Sequence, residues 1–160
     1  MASTITARNF NLTISEVCDL NMQPLTAAYD QTFGSVATLT TNTVLCMSGS
    51  ETELLSLKAG TAYDPANMQY FAVTNRDNGG ANHLRISLSG SELGYVNFKL
   101  EKGQKLIFYN NEVANANSGS TGDPATGNKH FMYRTWDKVI AVASGSTIYA
   151  QTVYAATAAG

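Results

Sequence analysis

The feature that most constrains the fold of this chain is a two-residue alternation of apolar and polar side chains, which recurs along most of its length. Leu84, Ile86 and Leu88, for example, alternate with Arg85 and Ser87. Successive side chains of a strand point to opposite faces of its sheet, so this alternation predicts a strand with one buried face. We expect Leu84, Ile86 and Leu88 to face the core and Arg85 and Ser87 to face outward.

The alternating runs and the turns between them predict an antiparallel β-sandwich with about 8–10 strands and little helix. Turn residues at 77–80 and 144–146 separate such runs, because Gly and Asn tolerate positive φ angles. Only residues 19–33 could hold a helical turn. We expect one all-β domain over residues 1–160. The predicted strands lie at residues 10–16, 35–47, 52–58, 68–75, 83–88, 94–100, 104–110, 130–135, 138–144 and 147–155.

The predicted strand at residues 68–75 differs from the others because it is apolar on both faces. Tyr70 and Ala72 would lie on one face, and Phe71 and Val73 on the other. This pattern predicts either an interior strand or a strand whose outer face meets a partner.

The composition is poor in charge, which limits the classes of partner. Charged residues make up 14% of the chain, against about 25% in average proteins, and Thr, Ser and Asn together number 45. The net charge of −2 excludes a strongly basic nucleic-acid-binding domain. Lys99, Lys102 and Lys105 cluster near one hairpin, but Glu101 interrupts them, as in a solvated strand edge. The charge therefore gives no reason to expect nucleic acid as a partner. No window is apolar enough to span a membrane, and residues 1–10 contain no apolar stretch typical of a secretory signal, so we do not expect a membrane as a partner either.

Two segments contain too few apolar residues to build a core of their own. Residues 1–10 are interpreted as an N-terminal arm. Residues 110–129 contain Val113 as their one aliphatic side chain larger than Ala, which predicts a long surface loop. Both segments could become ordered on a neighbouring molecule, at a cost in conformational entropy.

A search for catalytic motifs finds none, and we expect a protein that is not an enzyme and has no cofactor, metal site or small-molecule substrate. Residues 119–122 are small and polar, but they follow no apolar strand, which argues against a phosphate-binding loop. Glu51 and Glu53 form a close pair of carboxylates on one predicted strand. They are better explained as a solvated strand edge than as the acid pair of a glycosidase, which usually comes from two elements.

The two histidines and one acidic turn are the candidates for metal binding. His83 and His130 each precede a predicted strand, where a half-exposed ring is the simpler interpretation; a metal site would need a further ligand from elsewhere in the fold. Asp77, with Asn75 and Asn78, could supply oxygen ligands to calcium. We favour the interpretation that these side chains shape the turn by hydrogen bonds to their own backbone.

The cysteines and aromatic residues each allow a structural and a functional interpretation. Cys46 lies in a predicted strand and is interpreted as a buried free thiol, while a bridge to Cys18 is the alternative. Trp136 is more simply a buried anchor than a binding platform. Rings on strands usually fill a core, and five tyrosines lie on predicted strands: Tyr70, Tyr95, Tyr109, Tyr149 and Tyr154.

Three stretches of the chain, at residues 69–77, 83–88 and 98–108, resemble small virion proteins of tailed bacteriophages of the marine and cyanobacterial podovirus type. The pattern of those proteins is a strand of the form Y-x-x-V-x-N-x-D, a turn, an L-R-I strand, and a strand leading to L-x-x-G-x-x-x-x-L; in the last motif this chain matches at Leu100 and Gly103 and has Phe108 at the final position. The resemblance implies a jelly-roll-like sandwich that assembles in many copies, as a head decoration (cement) protein. Its implied partners are the major capsid protein shell and further copies of itself, as a trimer or dimer, in a virion assembled in the host cytoplasm.

Two other functions remain open at this stage. A carbohydrate- or receptor-binding β-sandwich of a phage tail or fibre would need exposed, coplanar aromatic rings. A small β-fold enzyme would need His83 or His130 to meet a carboxylate in the folded chain.

Overall fold

The computed structural model of the chain describes residues 7–20, 23–77, 79, 82–91, 93–115 and 132–158. These residues form eleven strands and one 3₁₀ helix, so the prediction of an all-β fold is confirmed. The strands are β1 (Arg8–Leu20), β2 (Gln23–Cys46), β3 (Thr52–Ser56), β4 (Met68–Asn75), β5 (Leu84–Gly90), β6 (Gly94–Leu100), β7 (Lys105–Phe108), β8 (Glu112–Asn115), β9 (Met132–Thr135), β10 (Lys138–Ala143) and β11 (Ile148–Thr157), and the 3₁₀ helix is Pro65–Asn67.

Nine of the strands form two antiparallel sheets, and eight of these nine are arranged as a jelly roll. The first sheet has the order β1-β2-β11-β4-β7, and the second has the order β3-β10-β5-β6. Without β1, each sheet has four strands, and every connection except the β5–β6 hairpin passes from one sheet to the other, which is the jelly-roll arrangement. The β8–β9 hairpin is inserted between β7 and β10.

The apolar core lies between the two sheets. Trp136 is its largest fully buried side chain, and its ring centroid lies 6.2 Å from that of Phe71 and 5.4 Å from that of Phe108. Aromatic pairs at these distances add stability beyond the apolar area that they bury. The prediction that Trp136 is a buried anchor is therefore confirmed.

The alternation in β5 is confirmed at its apolar positions and corrected at one polar position. Arg85 is exposed, but Ser87 is only 5% exposed, although the sequence predicted that it faces outward into water. Its hydroxyl donates a hydrogen bond of 2.6 Å to the side-chain oxygen of Asn97 on β6, and its neighbour on β10 is the buried Ile140. These neighbours cover Ser87. The three apolar positions of β5 are fully buried, as predicted: Leu84, Ile86 and Leu88.

Gly90 lets the end of β5 pass close to the chain that leads into β10. A Cβ atom at this position would lie 2.3 Å from the backbone oxygen of Thr135 and 3.2 Å from the Cα atom of Trp136. No side chain fits there without a shift of the backbone, so the close approach that seats Trp136 requires glycine.

β4 buries side chains on both faces, as predicted for an interior strand. Phe71 and Val73 belong to the sandwich core, whereas Tyr70 and Ala72 belong to a second apolar cluster on the opposite face of the first sheet. The other members of the second cluster are the buried Phe33, Val36 and Ala155 and the half-buried Phe10, Leu12, Ile107 and Val153.

Aromatic contacts hold the second cluster together. The ring centroids of Phe10 and Phe33 are 5.7 Å apart, and Tyr70 lies 5.2 Å from Phe10 and 5.8 Å from Phe33. Tyr109, which directly follows β7, lies 6.0 Å from Phe33. These contacts bring the start of β1 and the middle of β2 over the outer face of β4, and the first sheet is strongly curled as a result.

A β-bulge redirects the chain at the edge of this cluster. Gly34 and Ser35 of β2 together oppose Asn9 of β1, and Ser35 has a φ angle of 57°, in the left-handed region. An extra residue in one strand bends that strand and increases its twist. Beyond the bulge the two strands continue as a two-stranded ribbon, in which residues 11–20 pair with residues 23–32. We call this segment the ribbon.

Three predictions about local structure are corrected. Residues 19–20 end β1 and residues 23–33 form much of β2 and not a helical turn, because each of them has a cross-strand partner; residues 21–22 lie outside the described residues. Residues 8–10 of the predicted arm belong to β1, and residues 1–6 lie outside the described residues. Residues 112–115 of the predicted loop form β8, because pairing with β9 satisfies their backbone, and residues 116–131 lie outside the described residues.

We expect Ile86→Asp to destabilise the fold by at least about 4 kcal/mol, because it removes a fully buried side chain and buries an unpaired charge. Arg85→Ala on the same strand should change the free energy of unfolding by less than about 0.5 kcal/mol, since Arg85 is exposed. Urea denaturation of the two variants measures both values. An Ile86→Asp variant as stable as the parent would contradict the register of β5.

We expect Gly90→Ala to lower the free energy of unfolding by about 1–3 kcal/mol, because the new methyl group would overlap the backbone of Thr135. Gly34→Ala is the matched control, since a Cβ atom there meets nothing closer than the side-chain oxygen of Asn9 at 4.0 Å. Thermal unfolding should therefore separate the two glycine variants. Equal melting temperatures would show that the β5–β10 approach is looser than described.

Candidate functional site

Two regions of the fold have properties that a stable core does not require: the ribbon and a cavity beside β2. The ribbon consists of ten residue pairs, so its length is about 33 Å. Among the described residues, no third strand pairs with it. Both of its outer edges therefore offer unpaired backbone groups to another chain.

The described side chains of the ribbon are largely accessible and, apart from exposed Asp30 opposite Thr13, uncharged. Thr13 and Ser15 are exposed on one face, and Ile14 is half-buried on the other. Tyr29 lies opposite Ile14 and is 49% exposed. The ribbon thus combines unpaired backbone with a partly exposed apolar pair.

The edges of the sandwich itself are different, because they are short or carry lysines, whereas the charged residues of β1 are Arg8, Glu16 and Asp19. β3 has five residues and β7 has four, and exposed Lys99 and Lys105 lie on β6 and β7. Short edge strands and lysines discourage pairing with another chain. The contrast makes β1, with 13 residues, the edge best suited to pair with a partner strand.

A cavity of about 350 Å³ lies where β2 and β11 of the first sheet face β3 of the second. It reaches solvent along exposed Asn42, Glu53 and Ser56. The lining side chains from the first sheet are Thr40, Asn42, Phe71, Thr152 and Tyr154, and those from β3 and the following loop are Glu53, Leu54, Leu55, Ser56 and Tyr63.

The cross-strand pairs of the first sheet become more polar toward this cavity. In one row Thr152 stands between Asn42 and Val73, and in the next row Tyr154 stands between Thr40 and Phe71. Each row therefore begins in the apolar core on β4 and ends in a polar side chain on β2. The polar groups lie on the inner face of the sheet, where a sandwich normally carries aliphatic residues.

Tyr154 has an unusual environment at the inner end of the cavity. The residue is 3% exposed, and its hydroxyl has no hydrogen-bond partner among the described residues. Burial, with smaller contributions from the charge of Asp64 and from Tyr63, raises the pKa of Tyr154 to about 12. The hydroxyl therefore remains protonated over the whole physiological range.

A compact loop places Tyr63 against Tyr154, at a centroid distance of 5.0 Å. One carboxylate oxygen of Asp64 accepts a hydrogen bond from the backbone N–H of Gly60 at 2.6 Å, and the other accepts one from Ala66 at 2.9 Å. These two bonds hold the pKa of Asp64 below its usual value. Because they tie both ends of the loop to one carboxylate, the loop holds Tyr63 in place beside the cavity.

Cys46 is a buried free thiol, as predicted, and burial raises its pKa. A raised pKa keeps the thiol protonated and unreactive. Cys18 lies in β1, and its side chain is outside the described residues. Cys46 therefore has a packing role in the core, where it lies beside Ile148 on β11.

Asn75 and Asp77 shape the turn after β4. The side-chain oxygen of Asn75 accepts a hydrogen bond from the backbone N–H of Asp77 at 2.9 Å, and its amide donates to the backbone oxygen of Leu100 at 2.9 Å. Asp77 in turn accepts a bond from the N–H of Gly79 at 3.3 Å. Asn78 lies outside the described residues. Within the described part of the chain no three His, Cys, Asp or Glu side chains converge as a metal site requires.

His83 directly precedes β5, half-buried, as predicted, and its backbone N–H donates to the hydroxyl of Ser144 at 2.9 Å. The carboxylate that His83 influences is that of Glu101. The pKa of Glu101 is lowered mainly by its ion pair with Lys99 and only slightly by the charge of His83. That arrangement is a surface ion pair and not the paired nucleophile and base of an enzyme. His130 lies outside the described residues.

The remaining candidates from the sequence lie apart from one another. Glu51 and Glu53 are exposed, as expected for a strand edge, and Glu53 forms an ion pair of 3.2 Å with Lys138. Residues 119–122 lie outside the described residues. Of the five strand tyrosines, Tyr70 and Tyr154 are buried, whereas three are 42–67% exposed, against the expectation of a core position: Tyr95, Tyr109 and Tyr149.

The sequence analysis did not find the cavity residues Thr40, Asn42 and Thr152. A signal was present, because Thr40 and Asn42 have the same alternation phase as buried Cys46, and Thr152 has that of buried Ala150 and Tyr154. Polar residues in the buried phase of a strand point to a polar space inside the fold. Which polar residues met across the sheets depended on the tertiary structure.

Comparisons of the chain with protein-family models, with curated proteins and with solved structures find no match in any of the three. No helix in the described part of the chain is long and apolar enough to cross a membrane. The ribbon, the cavity and the chemistry of their residues are the features that point to a function.

The raised pKa of Tyr154 makes a prediction for alkaline stability. Ionisation of a tyrosine begins near pH 10 in the unfolded chain and only near 12 at Tyr154 in the folded one, so this residue stabilises the fold below pH 10 and loses that contribution as the pH rises to 12. Between pH 9 and 11 the parent should therefore lose more free energy of unfolding than the Tyr154→Phe variant. Urea denaturation at both pH values tests this; parallel losses would contradict the raised pKa.

Proposed function

We propose that this chain is a structural protein of a phage virion, a decoration protein that binds the assembled head shell in many symmetric copies. The observation that carries the proposal is the ribbon, a long pair of strands that extends past the sandwich with both edges unpaired. The phage-like strand pattern at residues 69–77, 83–88 and 98–108 suggested the same role.

Strand addition is the binding mode that suits the ribbon. A segment of a shell subunit can pair with the edge of β1, and the backbone hydrogen bonds then supply affinity with little demand on side-chain chemistry. Thr13 and Ser15 beside that edge are exposed and uncharged, so they do not oppose such pairing. The second apolar cluster holds the end of the ribbon next to the bulge against β4. Because this end is already fixed in place, less conformational entropy is lost when a partner binds.

The outer face of the first sheet adds apolar surface for contacts between proteins. Leu45 and Tyr149 are cross-strand neighbours on β2 and β11 and are 46% and 53% exposed. Met47 follows on the same side of β2 and is also exposed. An exposed apolar patch with few charges nearby is typical of an interaction surface.

Repetition explains how weak contacts could hold a decoration protein in place. If one copy touches two shell subunits, the second contact forms at high effective concentration, and the combined attachment exceeds either contact alone. Jelly rolls occur both in viral shells and in lectins, so the fold alone does not indicate which function this chain has. The proposal depends on the ribbon. We expect the chain to self-associate as a dimer or trimer and to be located in the virion, with no catalytic activity.

We expect the double variant Thr13→Lys and Ser15→Lys to remain folded but to bind shells at least about tenfold more weakly, because edge lysines oppose strand addition. Both positions are exposed, so the free energy of unfolding should change by less than about 0.5 kcal/mol. The measurement is co-sedimentation with purified shells that lack this protein. The matched control is Ser91→Lys with Thr147→Lys, which adds the same charge at exposed positions of two loops.

Equal binding by the ribbon variant and the control would remove the ribbon from the attachment. The copy number per particle tests the role itself: a coat over the shell requires on the order of hundreds of copies, whereas a neck or tail position follows the low-order rotational symmetry of that structure. Absence of the chain from purified particles would contradict the proposal altogether.

A further inference from the structure

The cavity beside β2 is a second feature that shell binding does not explain. Three polar side chains on the inner face of the first sheet turn toward it: Thr40, Asn42 and Thr152. Threonine in place of valine at such a position costs stability unless its hydroxyl is hydrogen-bonded. Asn42 is exposed, Thr40 is half-buried and Thr152 is 4% exposed, so together they give one wall of the cavity a polar character.

Tyr154 is a second, independent polar feature beside the cavity. Its hydroxyl is buried and has no hydrogen-bond partner among the described residues, although a buried tyrosine hydroxyl usually has one. An unsatisfied buried polar group costs about 1–3 kcal/mol, a typical range for such groups. A phenylalanine would fill the same space without that cost, so the hydroxyl is a group that a ligand could satisfy.

The charge of the lining limits what can enter. Glu53 is the single lining residue with a charge at neutral pH, and it is paired with Lys138 at the exposed rim. Lys, Arg and His are missing from the ten lining residues, all of which the structure describes. Phosphates and carboxylates would meet no cation there, so the lining favours a neutral ligand.

The remaining chemistry of the lining suits a compact ligand with several hydroxyl groups. Hydroxyls of Thr40, Thr152 and Tyr154 can each donate and accept, and the amide of Asn42 can do both at once. The rings of Tyr63 and Tyr154 offer apolar surface beside these polar groups. The volume of 350 Å³ lies near the lower limit of ligand pockets, about 300 Å³, which suits one ring and not an extended chain.

We propose that this cavity binds a single neutral hexose unit, either as a free monosaccharide or as the end of a glycan. In the bound state a small shift of the lining side chains lets the hydroxyl of Tyr154 hydrogen-bond the sugar, and Thr40, Asn42 and Thr152 bind further hydroxyls along one wall. Tyr63, held by the loop that Asp64 closes, packs against the apolar side of the sugar ring.

This site does not depend on the proposed role in the virion. It uses residues 40–42 of β2, on the far side of the bulge from the ribbon, and no ribbon side chain lines it. A failure of shell binding would leave the sugar site standing, and a failure of sugar binding would leave the ribbon standing.

The test is saturation-transfer NMR on the full chain with glucose, galactose, mannose and N-acetylglucosamine, followed by titration of the sugar that responds. We expect at least one of them to bind with a Kd near or below about 1 mM and glucuronate, an anionic sugar, to bind more weakly. Tyr154→Phe should weaken binding by about 2- to 12-fold, the effect of one hydrogen bond. Its melting temperature should be equal to or above that of the parent, because the variant removes an unsatisfied hydroxyl.

The matched control separates the cavity from the rest of β2. Thr40→Val changes a lining residue, whereas Thr41→Val makes the same change at the exposed neighbouring position on the outer face. Only Thr40→Val should weaken sugar binding. The methyl glycoside of the bound sugar distinguishes the two sources: retained binding assigns the site to glycan ends, and lost binding assigns it to a free monosaccharide.

Two results would overturn the proposal. One is the absence of saturation transfer to all four neutral sugars at about 10 mM, far above the expected Kd. The other is equal sugar affinity in the Tyr154→Phe, Thr40→Val and Thr41→Val variants, which would place the sugar elsewhere on the surface.

Discussion

The burial of both faces of β4 is the constraint on which the rest of this structure depends. A strand with Phe71 and Val73 on one face and Tyr70 on the other cannot lie at the surface of a simple sandwich, because one apolar face would meet water. The second sheet covers one face and supplies the core. The start of β1 and the middle of β2 must then cover the other, and the curl of the first sheet accomplishes this.

The ribbon is a consequence of that curl. Once Phe10 and Phe33 are packed on Tyr70, the bulge at Ser35 directs the two strands away from the sandwich, and they extend with no third strand among the described residues. The sandwich protects its own edges by short strands and by lysines. The edge of the ribbon has neither of these protections, so it differs from the other edges of the same molecule. This difference favours a partner that adds a strand to the ribbon.

The cavity arises from a gradient across the same sheet. The cross-strand rows that begin at Phe71 and Val73 on β4 end at Thr40 and Asn42 on β2. The inner face of the first sheet therefore changes from apolar to polar within three strands. The short strand β3 faces these polar ends and leaves space between the sheets. The hydroxyl of Tyr154 is buried at this boundary with no hydrogen-bond partner among the described residues, and the proposed sugar would supply one.

The sequence by itself determined the all-β fold, most strand positions, the buried phase of β5 and the interior position of β4, because alternation and turn chemistry are local properties of the backbone. It did not reveal that residues 19–20 and 23–32 pair in the ribbon, since Thr- and Ala-rich strands have a weak pattern. Nor did it show the burial of Ser87 or the meeting of Thr40, Thr152 and Tyr154 around one space. Those are decided by which strands become neighbours, and neighbours distant in the chain are brought together only by the packing of the two sheets.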